Sequence, residues 1–246
     1  GLWGKPTAVN NVETLAAVPF IINEGPDRFR SLGLAGNAGA KLYSLSGRVT
    51  RPGNYELPLG TTARELIFTC GGGIPERRAL KAFTLGGISG GILGPDALDL
   101  PLDYRSPAQY GAALGSGGVV VLDETCCTVD FALGCLSFYE HESCGKCFPC
   151  RIGTVRLRER LGHAAGNGRP VARGRQALEE LEELADVVAR GSACGLGPAA
   201  ALMARCLIQY FSPELEAHLL RGVCPAGVCP VPGVDSSRPG PSGGAL

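Results

Sequence analysis

Methionine, tryptophan and histidine are scarce in this sequence of 246 residues, which holds one Met (Met203), one Trp (Trp3) and three His (His141, His163, His218). Histidines so few and so scattered do not form a site by themselves. An excess charge of either sign is also missing, because 23 Lys and Arg balance 23 Asp and Glu. Without a basic surplus, nucleic acid is excluded as the main partner, since phosphate binding requires clustered cations. Long apolar runs are absent as well. Stretches such as residues 16–22 fall far short of the roughly 18 residues a membrane helix needs, and no basic, apolar, small-residue leader opens the chain. A soluble or peripheral location follows. With Gly1 at the start and Met203 as the single methionine, the sequence reads as a fragment or a processed chain.

Cysteine, by contrast, is abundant. There are 11, and only Cys70 falls in the first half, while the others run from Cys126 to Cys229. A secreted disulfide framework staples a short chain throughout, so thiols clustered at one end point instead to a metal in a reducing compartment.

Glycine (37) and proline (18) exceed a fifth of the chain, which implies many turns and short elements. Asn10 and Asn11 precede an apolar pattern at Val12, Leu15 and Ala16 and suit helix capping, with Pro19 restarting or kinking the helix. The glycine-rich residues 31–40 read as a linker. From Lys41 the period becomes two, with Tyr43, Leu45 and Val49 on one face and Ser44, Ser46 and Arg48 on the other, which is strand alternation. Arg51-Pro52-Gly53-Asn54 supplies a tight turn and Tyr55, Leu57 and Leu59 a returning strand. Thr62 and Glu65 fit a capping box, and residues 82–85 and 119–122 read as further strands, making 41–123 a small sheet carrying one helix. The last third is helical. Leu178, Leu181, Leu184 and Val188 oppose Glu179, Glu180, Glu182 and Glu183, and residues 198–211 are apolar almost all round, as a central helix would be. After Cys229 the chain is proline, glycine and serine with little to bury, so a disordered tail is expected.

Cys144-Gly145-Lys146-Cys147-Phe148-Pro149-Cys150 is a C-x2-C-x2-C run, and Cys194 is a distant fourth thiol. A cubane takes one thiolate at each of four irons, so three cysteines at this pitch plus one from elsewhere suit a [4Fe-4S] cluster. A structural zinc site more often recruits two separated pairs. Pro149 suits the first turn of one helix and Pro198 of another, so both ligand segments are expected at helix N-termini, where free N–H groups stabilise thiolates and hydrogen bonds to sulfur raise the potential. Between Lys146 and Arg175 eight basic residues face one acid, Glu159; a solvated helix face is the simpler reading of that run.

Several stretches together resemble one family. They are Gly1-Leu2-Trp3-Gly4-Lys5-Pro6-Thr7, Asn10-Asn11-Val12-Glu13-Thr14-Leu15, residues 41–60, Gly86-Gly87-Ile88-Ser89-Gly90-Gly91, Glu142-Ser143-Cys144 through Arg151, and Cys194-Gly195-Leu196-Gly197. In this order they resemble the C-terminal part of the NADH-binding flavoprotein subunit of respiratory complex I and of the diaphorase subunits of NAD-linked hydrogenases and formate dehydrogenases. The resemblance implies an α+β chain, with a β-grasp domain of the soluble-ligand-binding (SLBB) type followed by a helical bundle holding a [4Fe-4S] cluster on Cys144, Cys147, Cys150 and Cys194. The implied division is 1–40 as the end of the FMN- and NADH-binding domain plus a linker, 41–125 as the β-grasp, 126–222 as the cluster domain and 223–246 as a tail. It further implies an NADH dehydrogenase-type oxidoreductase subunit that passes electrons from NADH through FMN to the cluster and on to quinone. Its partners would be a thioredoxin-like [2Fe-2S] subunit and a large iron–sulfur subunit, in the cytoplasm or on the cytoplasmic face of a membrane. Asn10, Asn11 and Thr14 would touch FMN, although the glycine-rich FMN and NADH loops are not in this sequence and no catalytic residue is assigned. Plain helix capping is an equal reading of Asn10 and Asn11.

Three alternatives keep their own features. A diaphorase subunit of a hydrogenase or formate dehydrogenase would share every motif above. A non-catalytic zinc-stabilised interaction module would use the same thiols for a different ion, and a small-ligand-binding β-grasp module would need a pocket within 41–123. Residues 86–91 lack G-x-G-x-x-G, so a turn or a close backbone contact with the neighbouring domain is expected there in place of a dinucleotide site. Cys126, Cys127, Cys135 and Cys206 lie on or beside apolar helices and read as small buried hydrophobes. Cys224-Pro225-Ala226-Gly227-Val228-Cys229 stays open between half a metal site, a disulfide and a remnant, and His141, close to Cys144, reads as solvated.

Overall fold

The computed structural model describes residues 1–166 and 175–230, so the predicted tail beyond Pro230 lies outside the described residues. Helix α1 (Val12–Glu24) begins where Asn11 Oδ1 accepts the Glu13 N–H at 2.8 Å, the cap expected from sequence, and it continues through Pro19. After α2 (Pro26–Arg30), the stretch expected as a linker is instead a hairpin of β1 (Gly33–Leu34) and β2 (Asn37–Ala38). Its glycines are needed for shape. Gly39 has φ +94°, and a Cβ there would stand 2.3 Å from the Phe29 ring.

Five strands form the main sheet: β3 (Ala40–Gly47), β4 (Gly53–Pro58), β5 (Leu80–Thr84), β6 (Ile92–Leu93) and β7 (Gly118–Asp123). Their order is β4-β3-β7-β5-β6, with β3 and β7 parallel and the other pairs antiparallel. The alternation read from sequence is realised, since Tyr43 and Leu45 are buried and Ser44 and Ser46 exposed. Tyr43 Oη donates to the Leu102 carbonyl at 2.8 Å, which satisfies the one polar atom that side chain carries inside. The capping box also forms. Glu65 N–H donates to Thr62 Oγ1 at 3.1 Å and Thr62 N–H to Glu65 Oε2 at 2.9 Å, opening a short helical segment whose last turns (Glu65–Cys70) are π-type and bury Leu66 and Ile67.

The second half is helical: α3 (Thr128–Glu142), α4 (Phe148–Ala164), α5 (Arg175–Gly191), α6 (Leu196–Tyr210) and α7 (Ser212–Arg221). Helix α6 packs against the other four, and its buried Ala200, Ala201, Ala204 and Leu207 explain how. Small side chains let neighbouring helices approach while each buried Leu contributes about 1.5–3 kcal/mol. Helix α5 turns Ala177, Leu181, Ala185 and Val188 inward and leaves Glu179, Glu182 and Glu183 in solvent. No helix among the described residues is long and apolar enough to cross a membrane.

Sheet and helices share strands β5, β6 and β7. Ala82, Ile92 and Leu122 join the helical core, while Phe83, Leu93 and Val121, one position along on the same strands, join a second core with Leu66, Leu85 and Leu102. A period of two thus serves two cores at once. The loop 86–91 lies at this junction, where Tyr139 Oη donates to the Ile88 carbonyl at 3.0 Å. A Cβ on Gly90 would sit 1.9 Å from the Ala113 carbonyl oxygen, and one on Gly91 3.0 Å from Cys206 Sγ. The glycines are there for close approach. Gly90→Ala is therefore expected to destabilise the chain by about 1–3 kcal/mol, the scale of overpacking; a urea midpoint equal to that of the unmodified chain would contradict this contact.

Candidate metal centre

Cys147 is the N-cap of α4, Pro149 lies in the first turn, and Gly145 (φ +74°) turns the chain between Cys144 and Cys147. Cys144 is left on the exposed rim, whereas Cys150, one turn into the helix, is buried with Sγ 3.4 Å from Ser143 Oγ. The fourth thiol arrives by a helical hairpin. Helix α5 ends against the start of α4, so closely that a Cβ on Gly191 would stand 2.9 Å from Pro149 Cγ. The chain then turns through Ser192 and Ala193 to Cys194, directly before Gly195, the N-cap of α6.

This turn closes on Cys147 and Cys150. The Ala193 N–H, then that of Cys150, donates to Cys147 Sγ and lowers the Cys147 pKa. Burial first, then the neighbouring Cys147 and Cys194, push the Cys150 thiol up even though Ser143 opposes them. Cys147, Cys150 and Cys194 are thus brought together from two helix starts, with Cys144 three residues ahead of Cys147 in the exposed non-helical stretch before α4. Thiols at two helix N-termini, with main-chain N–H groups donating to Cys147, fit a multinuclear cluster, whose negative charge those dipoles offset. Much of the basic run is already paired: Arg156 with Glu159 at 2.8 Å, Arg158 with Glu140 and Arg160 with Glu180. The solvated-face reading accounts for these three; Arg169 and Arg173 lie outside the described residues.

A second group of ligand-type atoms corrects the sequence reading. Cys127, His218, Cys224 and Cys229 are all buried, and their Sγ and ring nitrogen atoms lie within 4.8 Å of one another. Cys127, read from sequence as a packing residue, is therefore part of a cluster, and His218 belongs to it as well. Cys126, Cys135 and Cys206 do line the apolar core as expected. Cys229 donates to Cys127 Sγ at 3.6 Å, and this bond, opposed by burial and aided by His218, lowers the Cys127 thiol to about 4 while Cys229 moves upward. Burial works to lower the His218 pKa, but the contact with Cys127 at 3.3 Å raises it overall. A signal for three of the four was available, because His218, Cys224 and Cys229 fall within a dozen residues. Cys127, 91 positions before His218, had none.

At the other end of the chain lie Asn10, Asn11 and Thr14, the expected flavin contacts. Asn11 Oδ1 caps α1 and lines an open cleft of about 620 Å³ with Glu13, Phe20, Phe29 and Lys41, whereas Asn10 and Thr14 do not line it. Glu13, unremarked in the sequence, ties α1 to the sheet through Lys41 Nζ (2.5 Å) and the Leu42 N–H (2.8 Å).

Residues 130–218, which include all four thiols of the α4 and α6 starts, match the family model of the NADH-ubiquinone oxidoreductase-F iron-sulfur binding region. Those residues carry that family's iron–sulfur binding region. Residues 42–93 match the SLBB domain. Among proteins similar to this chain is the NADP-reducing hydrogenase subunit HndC of Solidesulfovibrio fructosivorans, 43% identical over 93% of this chain and 46% of its own length. The F subunit of NADH-quinone oxidoreductase from Mycobacterium tuberculosis (strain ATCC 25618 / H37Rv) is 43% identical over 92% of this chain and 49% of its own. An NAD+-reducing [NiFe]-hydrogenase crystallised in the air-oxidized state superposes with a TM-score of 0.76 at 34% identity, covering 89% of this chain and 36% of that one. The chain thus spans about half the length of the curated relatives it matches. A [4Fe-4S] cluster is the cofactor of this family's matched region.

Proposed function

We propose that this chain is the iron–sulfur electron-transfer part of an NADH dehydrogenase-type flavoprotein subunit, with Cys144, Cys147, Cys150 and Cys194 as cluster ligands. The observation that carries the reading is the closure of the 192–195 turn onto Cys147 and Cys150 within the matched iron–sulfur region. Bound there, a [4Fe-4S] cluster supplies one-electron transfer. The chain's own contribution is to present four thiolates from two helix starts, to offset their charge with N–H groups, and to cover one side with Ser143 and the α5–α6 hairpin. Exposed Cys144, Cys194 and Phe148 leave the other side open to a neighbouring redox group.

In this reading residues 41–125 are a β-grasp of the SLBB type, supported by the β4-β3-β7-β5-β6 order with its parallel central pair. Residues 126–222 are the cluster bundle, onto which 223–230 of the expected tail pack by burying Cys224 and Cys229, and 1–40 the end of an FMN- and NADH-binding domain. The last division is supported by α1, which is apolar yet buries none of its residues, leaving Val12, Leu15 and Ile22 exposed. Asn10, Asn11 and Thr14 would meet FMN in the intact protein. The partners would be a thioredoxin-like [2Fe-2S] subunit and a large iron–sulfur subunit, in the cytoplasm or on the cytoplasmic face of a membrane. The similarity to HndC and to the NAD+-reducing hydrogenase supports a diaphorase subunit of a hydrogenase equally well.

The test is spectroscopic. Purified without oxygen, the chain is expected to be brown, to bleach with dithionite and to show the paramagnetic signal of a reduced [4Fe-4S] centre, while holding no stoichiometric flavin because three contacts do not make a phosphate cradle. A colourless chain would sink the reading.

A further inference from the structure

The Cys127 group lies outside the proposed cluster ligands and has a geometry of its own. Its four ligand atoms are within 4.8 Å of one another, with Cys127 Sγ 3.6 Å from Cys229 Sγ and 3.3 Å from His218 Nε2. Thiolates about 2.3 Å from one tetrahedral zinc stand about 3.8 Å apart, and a sulfur and a nitrogen slightly closer. That spacing fits a single ion. A cubane needs its thiolates farther apart, and among the described residues this is the group that converges so tightly.

The imidazole is already oriented for coordination. His218 Nδ1 lies 3.1 Å from the Ala164 carbonyl, which only accepts, so Nδ1 carries the proton and Nε2 points its lone pair at the thiols. Around it the backbone is shaped into a loop. Gly222 (φ +62°) ends α7, and Gly227 (φ +69°), whose N–H donates to the Cys224 carbonyl at 3.0 Å, bends the chain so that Cys224 and Cys229 face one another. Three thiols and one imidazole are soft and borderline ligands suited to zinc, and four buried protein ligands leave no open position for substrate.

We propose that Cys127, His218, Cys224 and Cys229 form a closed, structural Cys3His site for one zinc ion, fastening the segment after α7 to the start of α3. The site stands apart from the electron-transfer thiols. Ala164 is the last residue of α4 and Cys147 its N-cap, so the 17-residue helix separates the two groups by about 25 Å at about 1.5 Å per residue. Zinc there is redox-inert and acts as a clamp, its thiols binding as thiolates with release of their protons.

The full chain, purified without oxygen and without added metal, is expected to contain one zinc per chain by mass spectrometry. X-ray absorption at the zinc edge should give three sulfurs at about 2.3 Å and one nitrogen at about 2.0–2.1 Å. Cys224→Ser and His218→Ala should each lose most of the zinc and keep the visible absorption of the iron–sulfur centre, whereas Cys144→Ser should do the reverse. Absence of zinc, iron in its place, a four-sulfur or oxygen-rich shell, or a disulfide among Cys127, Cys224 and Cys229 would each overturn the proposal. If the two variants do not fold, the zinc-edge spectrum of the unmodified chain still decides. Zinc present in a chain without iron would leave this site standing and remove the cluster reading instead.

Discussion

Replacing Cys194 by serine is expected to abolish the intact [4Fe-4S] centre, leaving a three-iron form or none, while Cys206→Ser keeps it unchanged. The contrast follows from position. Cys194 sits in the turn whose Ala193 N–H reaches Cys147, at the open end of α6. Cys206 lies buried on the same helix beside Gly91, its thiol pushed up chiefly by burial, which marks it as a packing residue. A serine hydroxyl is a far poorer iron ligand than a thiolate, so one corner of the cubane would lose its anchor. Iron and sulfide counts with paramagnetic resonance read the result; an unaltered signal in the Cys194 variant would move the fourth ligand elsewhere.

The second large effect concerns the fold. Stripping metals under chelating, oxidising conditions should loosen residues 128–221 selectively, seen as faster amide exchange there than in residues 41–123. The two halves have separate cores. Tyr43, Leu66, Phe83 and Val121 pack around the sheet without metal ligands, whereas the buried residues of the helical half include Cys127, Cys150, Cys224 and Cys229. Binding free energy at structural zinc sites reaches about 10–16 kcal/mol in small peptides and is lost as folding free energy with the metal. Since each step of about 1.4 kcal/mol is tenfold in an equilibrium constant, even a small share should accelerate exchange in α3–α7 by more than about a hundredfold. Equal protection with and without metal would mean that side-chain packing alone holds the helices.

How far the sequence reveals this molecule depends on how local each interaction is. The alternation at Tyr43 and Leu45, the Thr62–Glu65 capping box, the Asn11 cap and the helix-initiating Pro149 all involve partners within a few residues, and all were readable. The β1–β2 hairpin was not, because glycines that permit left-handed turns look the same as glycines of a flexible linker. Strand β6 is two residues long and takes its identity from pairing with Phe83 and Thr84. The C-x2-C-x2-C run points to a cluster through its spacing alone. The Cys127 group does not, since one ligand comes from a different helix end and joins only when α3, α4 and α7 pack.

Both metal assignments meet in one measurement: iron, acid-labile sulfide and zinc counted per chain in a single preparation made without oxygen. Two separate centres on this chain, one multinuclear and one mononuclear, predict about four irons, about four sulfides and about one zinc. Zinc without sulfide, or iron and sulfide far from equal amounts in an otherwise folded chain, would contradict the account.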